Sequence, residues 1–477
     1  MMMRPPEVPS FLYSQPKQLY YLRVFFIPVL QINGKEIILV FTTRRNPTVF
    51  IHKEQYTMNK TLLAAALIVM GSAALFAGDV FRFRGENSQG TFDETGLMKS
   101  WPQEGLTPKW TYSGLGEGWS SPIKVGKFLY ITGSDMSAKK EMVVCLDLDG
   151  KKVWQTATGS RWERAYPGVR CTPTYVPGEK DGEGRLLVTT GSGEVFCLNA
   201  ADGKILWSKA VSNDYNSNFM AWGMAESPVV KDALVFVTAA GSKALVVALK
   251  IDDGSVAWTA KSNDDKLGYV TPVIVRDQLI VMTDGKVNGI SIKDGTMMWE
   301  DDYRATSNIT ARNGNNANTP VVDGSRFFVT GGYNRGGVLY ELNEDGKGVK
   351  VIWKNKEFDP HHDCAVLVDG KLYGSNMANN NGGNWMCVDW ETGNTIYETP
   401  WSNLGKGTVI FADGMLYIYE EKRGTLGLLK PGDKFDVVSS FQVKFGSKEH
   451  WAHPTISDGV LYVRHGDVLA AFDIKAK

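Results

Sequence analysis

The side chains of this sequence that could bind a ligand or a metal lie in polar segments between apolar units. His361, His362 and Asp363 form a run of two imidazoles and a carboxylate, groups that zinc, iron or manganese accept as ligands. Glu226 or His453 could complete such a site if the fold brought them close. If the run enters a strand, its side chains alternate in direction and cannot all face one ion. A metal site and a set of solvated loop residues are both open interpretations.

A second set joins aromatic, cationic and amide groups, which suit a carbohydrate, a peptide or a small anionic ligand. The full candidate set for ligand binding is Trp119, Arg170, Glu226, Tyr269, Asn318, His362, Lys406 and His453. Each lies at or near the end of a polar segment, shortly before an apolar run. Motifs for a nucleophile and its base, such as GxSxG or HExxH, are missing from the sequence. The residue types therefore favour binding over hydrolytic catalysis.

A recurring phrase, in which Asp-Gly precedes a short apolar run and a tryptophan, predicts the elements that position these residues. Its copies end at Trp154, Trp207, Trp258, Trp299 and Trp353, and a degenerate copy ends at Tyr397. The copies are about 40 to 55 residues apart, which fits four short strands with their turns. Asp-Gly favours a tight hairpin because glycine reaches positive φ without a Cβ clash. The tryptophan is therefore predicted on the outermost strand of each unit, packed against the next unit.

Counting the units predicts an all-β protein, an eight-bladed β-propeller of four-stranded antiparallel blades. The units open near Ser121, Thr172, Ser227, Thr271, Thr319, Cys364, Thr408 and His453. The last unit has room for three strands only, whereas residues 109–112 precede the first blade without a blade of their own. We expect this early segment to supply the outer strand of the last blade and so close the ring. Residues 78–477 then form a single propeller, with the polar segments at one mouth of its channel.

The first 77 residues carry no repeat phrase and are predicted to lie outside the propeller. Met58 begins a secretory pattern, with a basic start, an apolar core over residues 61–70 and small residues leading to Ala77. We interpret residues 58–77 as a signal peptide and residues 1–57 as a non-native or disordered upstream extension. The pattern predicts a periplasmic or secreted protein. The mature chain would begin near Gly78, without a lipid anchor at this signal and without a transmembrane span.

Composition and cysteine placement exclude several classes of protein. The 52 basic and 52 acidic residues give a formal net charge of +0, which speaks against nucleic acid as a partner. Cys145, Cys197 and Cys387 fall on equivalent third strands and are predicted to be buried small side chains. Neither CxxC nor CxxCH occurs, so thiol redox chemistry, a zinc knuckle and covalent haem are not indicated.

The repeated phrase, the unit GSGEVFCLNAADGKILW and the repeat length resemble the pyrroloquinoline quinone (PQQ)-like β-propeller repeat. That repeat occurs in quinoprotein alcohol dehydrogenases and, without the cofactor, in the propeller lipoprotein of outer-membrane protein assembly. The resemblance covers about residues 79–477. It implies the propeller fold, whereas function lies in sites that differ between members.

The resemblance leaves two functions open. The preferred interpretation is an exported, non-catalytic binding or scaffold module that holds an envelope protein or a small-molecule ligand at the channel mouth. The alternative is a dehydrogenase of alcohols or sugars that depends on PQQ and calcium. In that case Glu226 and Asn318 would hold the calcium and Asp363 would be the catalytic base. The adjacent cysteine pair and the haem motif expected of such enzymes are missing from the sequence, which favours the non-catalytic interpretation.

Overall fold

The computed structural model describes residues 78–178, 183–307, 315–380 and 382–476. β-Branched and aromatic runs form short strands in these residues, separated by turns rich in Gly, Asp and Asn. The predicted signal peptide and the upstream extension lie outside the described residues. In the part of the chain that the structure describes, no helix has the length and apolar character that a bilayer crossing requires.

The strands form eight antiparallel four-stranded blades, and blade 7 gains a fifth, parallel strand. From first to fourth strand, blades 1 to 4 comprise Ile123–Val125, Phe128–Asp135, Lys140–Asp147 and Lys152–Ser160; Thr174–Val176, Arg185–Thr189, Val195–Asn199 and Ile205–Lys209; Val229–Lys231, Leu234–Thr238, Val246–Lys250 and Val256–Thr259; Val273–Val275, Gln278–Met282, Lys286–Ser291 and Met297–Asp302. Blades 5 to 8 comprise Val321–Asp323, Arg326–Thr330, Gly337–Leu342 and Val349–Asn355; Val366–Val368, Lys371–Ser375, Trp385–Asp389 and Thr395–Thr399; Gly407–Ala412, Met415–Glu420, Thr425–Lys430 and Asp436–Gln442; Thr455–Ser457, Val460–His465, Val468–Asp473 and Trp110–Ser113. The described helices are short, at Glu86–Ser88 (3-10), Val211–Tyr215 and Tyr303–Thr306. The predicted all-β, eight-bladed propeller is confirmed.

The ring closes as predicted, because an early strand completes the last blade. Trp110–Ser113 pairs antiparallel with Val468–Asp473, and Trp110 lies opposite Ala471. Blade 8 therefore contains three strands from the end of the chain and one from before blade 1. This pairing joins the first and last parts of the propeller in one sheet and covers an edge that would otherwise be open.

The tryptophans of the repeated phrase contact the next blade, also as predicted. Trp207 Nε1 donates a hydrogen bond to Ile251 O at 2.8 Å, and the indole ring covers Gly254. A Cβ added to Gly254 would lie 2.7 Å from that ring. The same ring-on-glycine contact joins Trp110 to Gly150, Trp154 to Gly203, Trp258 to Gly295 and Trp353 to Gly393. The glycine of the phrase thus serves twice, since it adopts the positive φ of the hairpin and leaves room for the preceding blade's tryptophan.

The cysteines are buried in the blades. Cys145, Cys197 and Cys387 lie on third strands, as predicted. All five cysteines of the chain are buried free thiols.

An N-terminal segment crosses the central channel, an arrangement that we did not predict from the sequence. We call residues 79–92 the N-terminal plug. The first strand of each blade lies nearest the channel, and we call it the inner strand. Tyr175 N donates to Phe81 O at 2.7 Å, which ties the plug to the inner strand of blade 2. Thr91–Phe92 pairs in parallel with Gly407–Ala412 on the inner strand of blade 7. Thr91 and Phe92 lie opposite Phe411 and Ala412, the last residues of the blade 7 inner strand, so the plug reaches the channel end opposite the start of that strand.

Arg84 extends from the plug along the channel. Its side chain is buried, and the guanidinium donates to Val409 O at 3.1 Å and to Ala365 O at 2.8 Å. Its Nη1 also lies 2.8 Å from His453 Nδ1. Phe83 of the plug also packs against the His453 ring, with centroids 5.1 Å apart, so the plug contacts the connections at the far mouth through more than one side chain.

Candidate functional site

The candidate site lies at the mouth where the inner strands begin. Connections between blades end at this mouth, and hairpins between second and third strands also turn there, because the second strand runs antiparallel to the first. We define the channel-mouth cluster as Tyr333, His361, His362, Asp363, Lys406, Glu421 and Trp451.

Asn318 shapes the segment that carries the histidines. Its Nδ2 donates to Pro360 O at 2.6 Å and to His361 O at 3.1 Å. Its Oδ1 accepts a hydrogen bond from Cys364 N at 2.9 Å. Cys364 has a φ of 56°, so the chain turns before the inner strand of blade 6 begins. Because the histidines precede that strand, its alternation does not separate them, and the ring centroids of His361 and His362 are 4.2 Å apart.

Each of these imidazoles has one buried nitrogen without a hydrogen-bond partner among the described residues, namely His361 Nδ1 and His362 Nε2. On the other side of the rings, His361 Nε2 lies 2.9 Å from Tyr333 Oη, and His362 Nδ1 lies 3.4 Å from Asp363 Oδ1. Asp363 Oδ1 also makes no hydrogen bond within the described residues. Burial lowers the pKa of His361 well below its usual value and the pKa of His362 to about 3, and the charge of Lys406 acts in the same direction. Both rings are therefore neutral at physiological pH.

Glu421 faces His362 from a hairpin of blade 7. Its Oε1 lies 2.5 Å from Lys406 Nζ, and its Oε2 accepts a hydrogen bond from Trp451 Nε1 at 3.2 Å. The same Oε2 is 3.7 Å from His362 Nε2. Burial raises the pKa of Glu421 to about 7, the Asp363 carboxylate adds to the rise, and Lys406 opposes it. A buried carboxylate and a buried ammonium thus share the wall beside the two histidines.

Trp451 joins this cluster to residues predicted from the sequence. Its ring centroid lies 4.9 Å from that of His362 and 5.2 Å from that of Trp119. The Arg170 guanidinium lies over the Trp119 ring at 5.1 Å and donates to Tyr166 O at 2.5 Å. Burial lowers the pKa of Arg170 to about 10. Trp119, Arg170 and His362 therefore lie along one wall of the mouth.

Two other predicted residues are bonded to their own surroundings. His453 lies between Arg84 and the His362 carbonyl oxygen, which is 3.1 Å from His453 Nε2, so both of its ring nitrogens have partners. Tyr269 Oη accepts a hydrogen bond from Trp222 N at 3.2 Å. Burial raises the pKa of Tyr269 to about 12.

The residues suggested for calcium each have hydrogen bonds to their own surroundings. Glu226 Oε1 accepts from Thr238 N at 3.0 Å, whereas Asn318 is bonded to the segment before blade 6. Glu226 and Asn318 lie on connections that are two blades apart. Burial raises the pKa of Glu226 to about 8 and that of Asp363 to about 6, so both carboxyls favour the neutral form more than usual. The Asn318 oxygen is engaged by Cys364 N and one Glu226 oxygen by Thr238 N, and the suggested calcium site stays a prediction.

Tyr333, Glu421 and Trp451 are site residues that sequence reasoning missed. Tyr333 and Glu421 lie in hairpins between second and third strands, whereas the sequence prediction considered the connections between blades. The antiparallel order of the strands was the available signal, because it returns those hairpins to the same mouth. Trp451 lies within a connection that was considered, but it carries no charge or imidazole that marks it.

The blades, the closing strand and the tryptophan contacts define the class of protein as a PQQ-like β-propeller. The sequence profile of a family described as outer membrane protein assembly factor BamB matches residues 139–399, more than half of the chain. The chain belongs to this family. The predicted resemblance is confirmed.

Curated relatives of this family match part of the chain. BamB of Yersinia pestis is 25% identical over 243 residues, which cover 49% of this chain and 56% of the relative. BamB of Moranella endobia (strain PCIT) is 27% identical over 191 residues, which cover 38% of this chain and 45% of the relative. The chain thus spans about half the length of the curated relatives that it matches.

Solved structures share the fold. BamB from Moraxella catarrhalis superposes with a TM-score of 0.54 at 14% identity, covering 77% of this chain and 99% of that one. A europium-containing methanol dehydrogenase gives a TM-score of 0.59 at 13% identity, covering 82% and 90%. Quinohemoprotein alcohol dehydrogenase from Comamonas testosteroni gives 0.59 at 10% identity, covering 86% and 82%. At such low identities these likenesses concern the fold alone.

Proposed function

We propose that this chain is a non-catalytic scaffold of the cell envelope that binds a protein partner during outer-membrane protein assembly. Membership of a family described by that process supports the proposal. The observation that carries it is an apolar stripe on the outer edge of three neighbouring blades. The predicted export signal at Met58 agrees with a periplasmic location.

The outer-edge stripe sets blades 1 to 3 apart. Seven large hydrophobic side chains are exposed among the described residues, and five of them lie on outer strands of these blades or in the turn before one. We define the stripe as Leu148, Val153, Ile205, Leu206 and Val256, which are 38% to 47% exposed. A register shift near Ile205 interrupts the pairing of that strand, so its neighbour Leu206 is exposed as well. Grouped apolar exposure of this kind is typical of protein-binding surfaces.

The backbone of the same strands offers a second means of binding. In the described part of the chain, each outer strand pairs with one neighbour only, which leaves peptide groups on its other side. An extended segment of a partner can add to such an edge through main-chain hydrogen bonds. The stripe would supply apolar contacts to alternate side chains of that segment. We therefore expect the partner to present an extended or edge strand with apolar side chains.

Site-specific photocrosslinking tests this proposal. A photoreactive residue at Ile205 is expected to capture an envelope protein of outer-membrane assembly in the native host, identified by mass spectrometry. The matched control places the probe at Lys350, an exposed position on the outer strand of blade 5. Adding Leu206→Asp should abolish capture from Ile205 without unfolding the chain. Equal capture from both probe positions, or none from Ile205, would refute the stripe as the docking surface.

The predicted binding of a small ligand at the channel mouth remains a second proposal. Trp119 supports it, because its indole Nε1 is buried beside Arg170 and has no hydrogen-bond partner within the described ranges. A ligand with an acceptor group would satisfy that nitrogen. Native mass spectrometry of the purified chain, compared with a Trp119→Phe variant, tests whether a small molecule is retained there.

The dehydrogenase alternative calls for a separate assay. Reconstitution with PQQ and calcium, followed by dye reduction with a panel of alcohols and sugars, is expected to give no activity above the protein without cofactor. Activity that depends on both additions would overturn the non-catalytic proposal.

A further inference from the structure

We propose that His361, His362 and Glu421 bind a divalent transition metal ion, with Zn²⁺ as the natural probe. Their donor atoms lie within 4.8 Å of one another, on one connection between blades and one hairpin of blade 7. Two imidazoles and one carboxylate are an established ligand set for zinc, with a fourth position left for water or another ligand. This inference does not depend on the proposed scaffold function.

Two buried nitrogens point to a missing ligand. Among the residues that the structure describes, His361 Nδ1 and His362 Nε2 have no hydrogen-bond partner, although each is shielded from solvent. A buried polar atom without a partner costs about 1 to 3 kcal/mol, so an unfilled site of this kind is unfavourable. A metal ion would accept both lone pairs at once. Neither nitrogen can be satisfied by Asp363 or Tyr333, because those groups face the opposite sides of the rings.

Polar groups lie behind both rings, on the side where metal-binding histidines usually have an outer-shell partner. Tyr333 Oη lies 2.9 Å from the far nitrogen of His361, and Asp363 Oδ1 lies 3.4 Å from the far nitrogen of His362. When a far nitrogen carries the proton, the near nitrogen presents its lone pair to the site. The contact with Tyr333 can thus hold His361 in the tautomer that a metal requires, whereas Asp363 Oδ1 makes no hydrogen bond within the described residues.

Glu421 has one oxygen for the metal and one for its neighbour. Oε1 pairs with Lys406 Nζ at 2.5 Å, whereas Oε2 lies 3.7 Å from His362 Nε2. Ligand atoms around tetrahedral zinc are about 3.3 Å apart, so that pair is close to the required spacing. The three donor atoms lie within 4.8 Å of one another, which is wider than this spacing, so a side chain must move by about 1 Å when the ion enters.

The structure also explains how neighbouring residues can share one ion. In a strand, His361 and His362 would point to opposite faces, but Asn318 holds their segment in a turn. The carboxylate comes from a hairpin about 60 residues further along the chain, where blade 7 returns to the same mouth. The site thus depends on the closed ring and not on a local motif.

Calorimetry on the full chain tests the proposal. Protein purified without a polyhistidine tag and treated with chelator is titrated with Zn²⁺, and one equivalent is expected to bind. His361→Ala and His362→Ala should each weaken that binding by at least about 100-fold. The matched control is His465→Ala, since both ring nitrogens of His465 are already bonded to the carbonyl oxygens of Phe445 and Lys448. It should bind Zn²⁺ like the unchanged protein.

Two further measurements keep the test decisive if a histidine variant fails to fold. Tyr333→Phe removes one hydroxyl behind His361 and should weaken Zn²⁺ binding by about 10-fold with little change in stability. Co²⁺ bound to the unchanged protein should show the visible absorption of a four-coordinate site, which Zn²⁺ then abolishes by displacement. No uptake of either ion by the unchanged protein, or uptake of equal affinity in both histidine variants, would overturn the proposal.

Discussion

The contact between Trp207 and Gly254 predicts a measurable coupling between two blades. Trp207→Ala removes a half-buried indole and its hydrogen bond to Ile251 O, which should cost about 2 to 4 kcal/mol of unfolding free energy. Gly254→Ala forces an alanine to a φ of 70° and places its Cβ 2.7 Å from the ring. The backbone conformation costs about 1 to 2 kcal/mol, and the clash adds about 1 to 3 kcal/mol. In the Trp207→Ala background the clash disappears, so the double variant should be more stable than the summed effects by at least about 1 kcal/mol.

Equilibrium unfolding in urea, followed by circular dichroism, gives the free energy of unfolding of the unchanged protein, the two single variants and the double variant. Gly414→Ala is the matched control, because Gly414 has a φ of 74° but no heavy atom within 4 Å of an added Cβ. It should cost about 1 to 2 kcal/mol in both backgrounds and show no coupling to Trp207. Effects of Trp207→Ala and Gly254→Ala that add to within about 0.5 kcal/mol would refute the ring-on-glycine contact as the lock between blades.

Three further predictions concern the buried charges and the ring closure. Burial raises the pKa of Glu226 to about 8. The folded chain therefore keeps a proton that the unfolded chain releases near the usual pKa of a glutamate. The free energy of unfolding falls as the pH rises from about 4.5 toward 8. Glu226→Gln should therefore gain stability relative to the unchanged protein by up to roughly 4 kcal/mol between pH 5 and pH 9, and equal pH profiles in urea unfolding would contradict this. Arg84→Met leaves His453 Nδ1 and two carbonyl oxygens without their donor and should lower the free energy of unfolding by about 2 to 4 kcal/mol. An unchanged urea midpoint would show that these contacts of the plug are dispensable. A chain that lacks residues 78–112 loses the plug and the outer strand of blade 8, and it should lose cooperative unfolding in calorimetry; a native transition would refute the closure.

The fold was predictable because its signals are local and repeated. The Asp-Gly and tryptophan phrase marks a hairpin and an outer strand in each unit, and both features follow from residues a few positions apart. The closing strand was predictable by counting, since the last unit is one strand short. The packing of a tryptophan ring on the glycine was not predictable, because the ring that covers Gly254 belongs to Trp207 of the preceding blade.

The site was predictable only in part. Trp119, Arg170 and His362 stood out as polar or aromatic residues in connections, and the structure brings them to one wall. Glu421 lies in a hairpin of ordinary composition, so only the strand order places it opposite His362. The turn that aligns the histidines depends on hydrogen bonds from Asn318, more than 40 residues earlier, which no local pattern shows.

A continuous set of contacts links the two ends of the channel. Arg84 of the N-terminal plug contacts His453, and His453 Nε2 lies 3.1 Å from the carbonyl oxygen of His362. The same N-terminal segment continues to Trp110–Ser113, the outer strand of blade 8. The segment that closes the ring therefore also positions the backbone of the candidate metal ligands. Because closure and site geometry share these contacts, the arrangement around His362 follows from the complete ring and could not follow from the short run of residues that contains it.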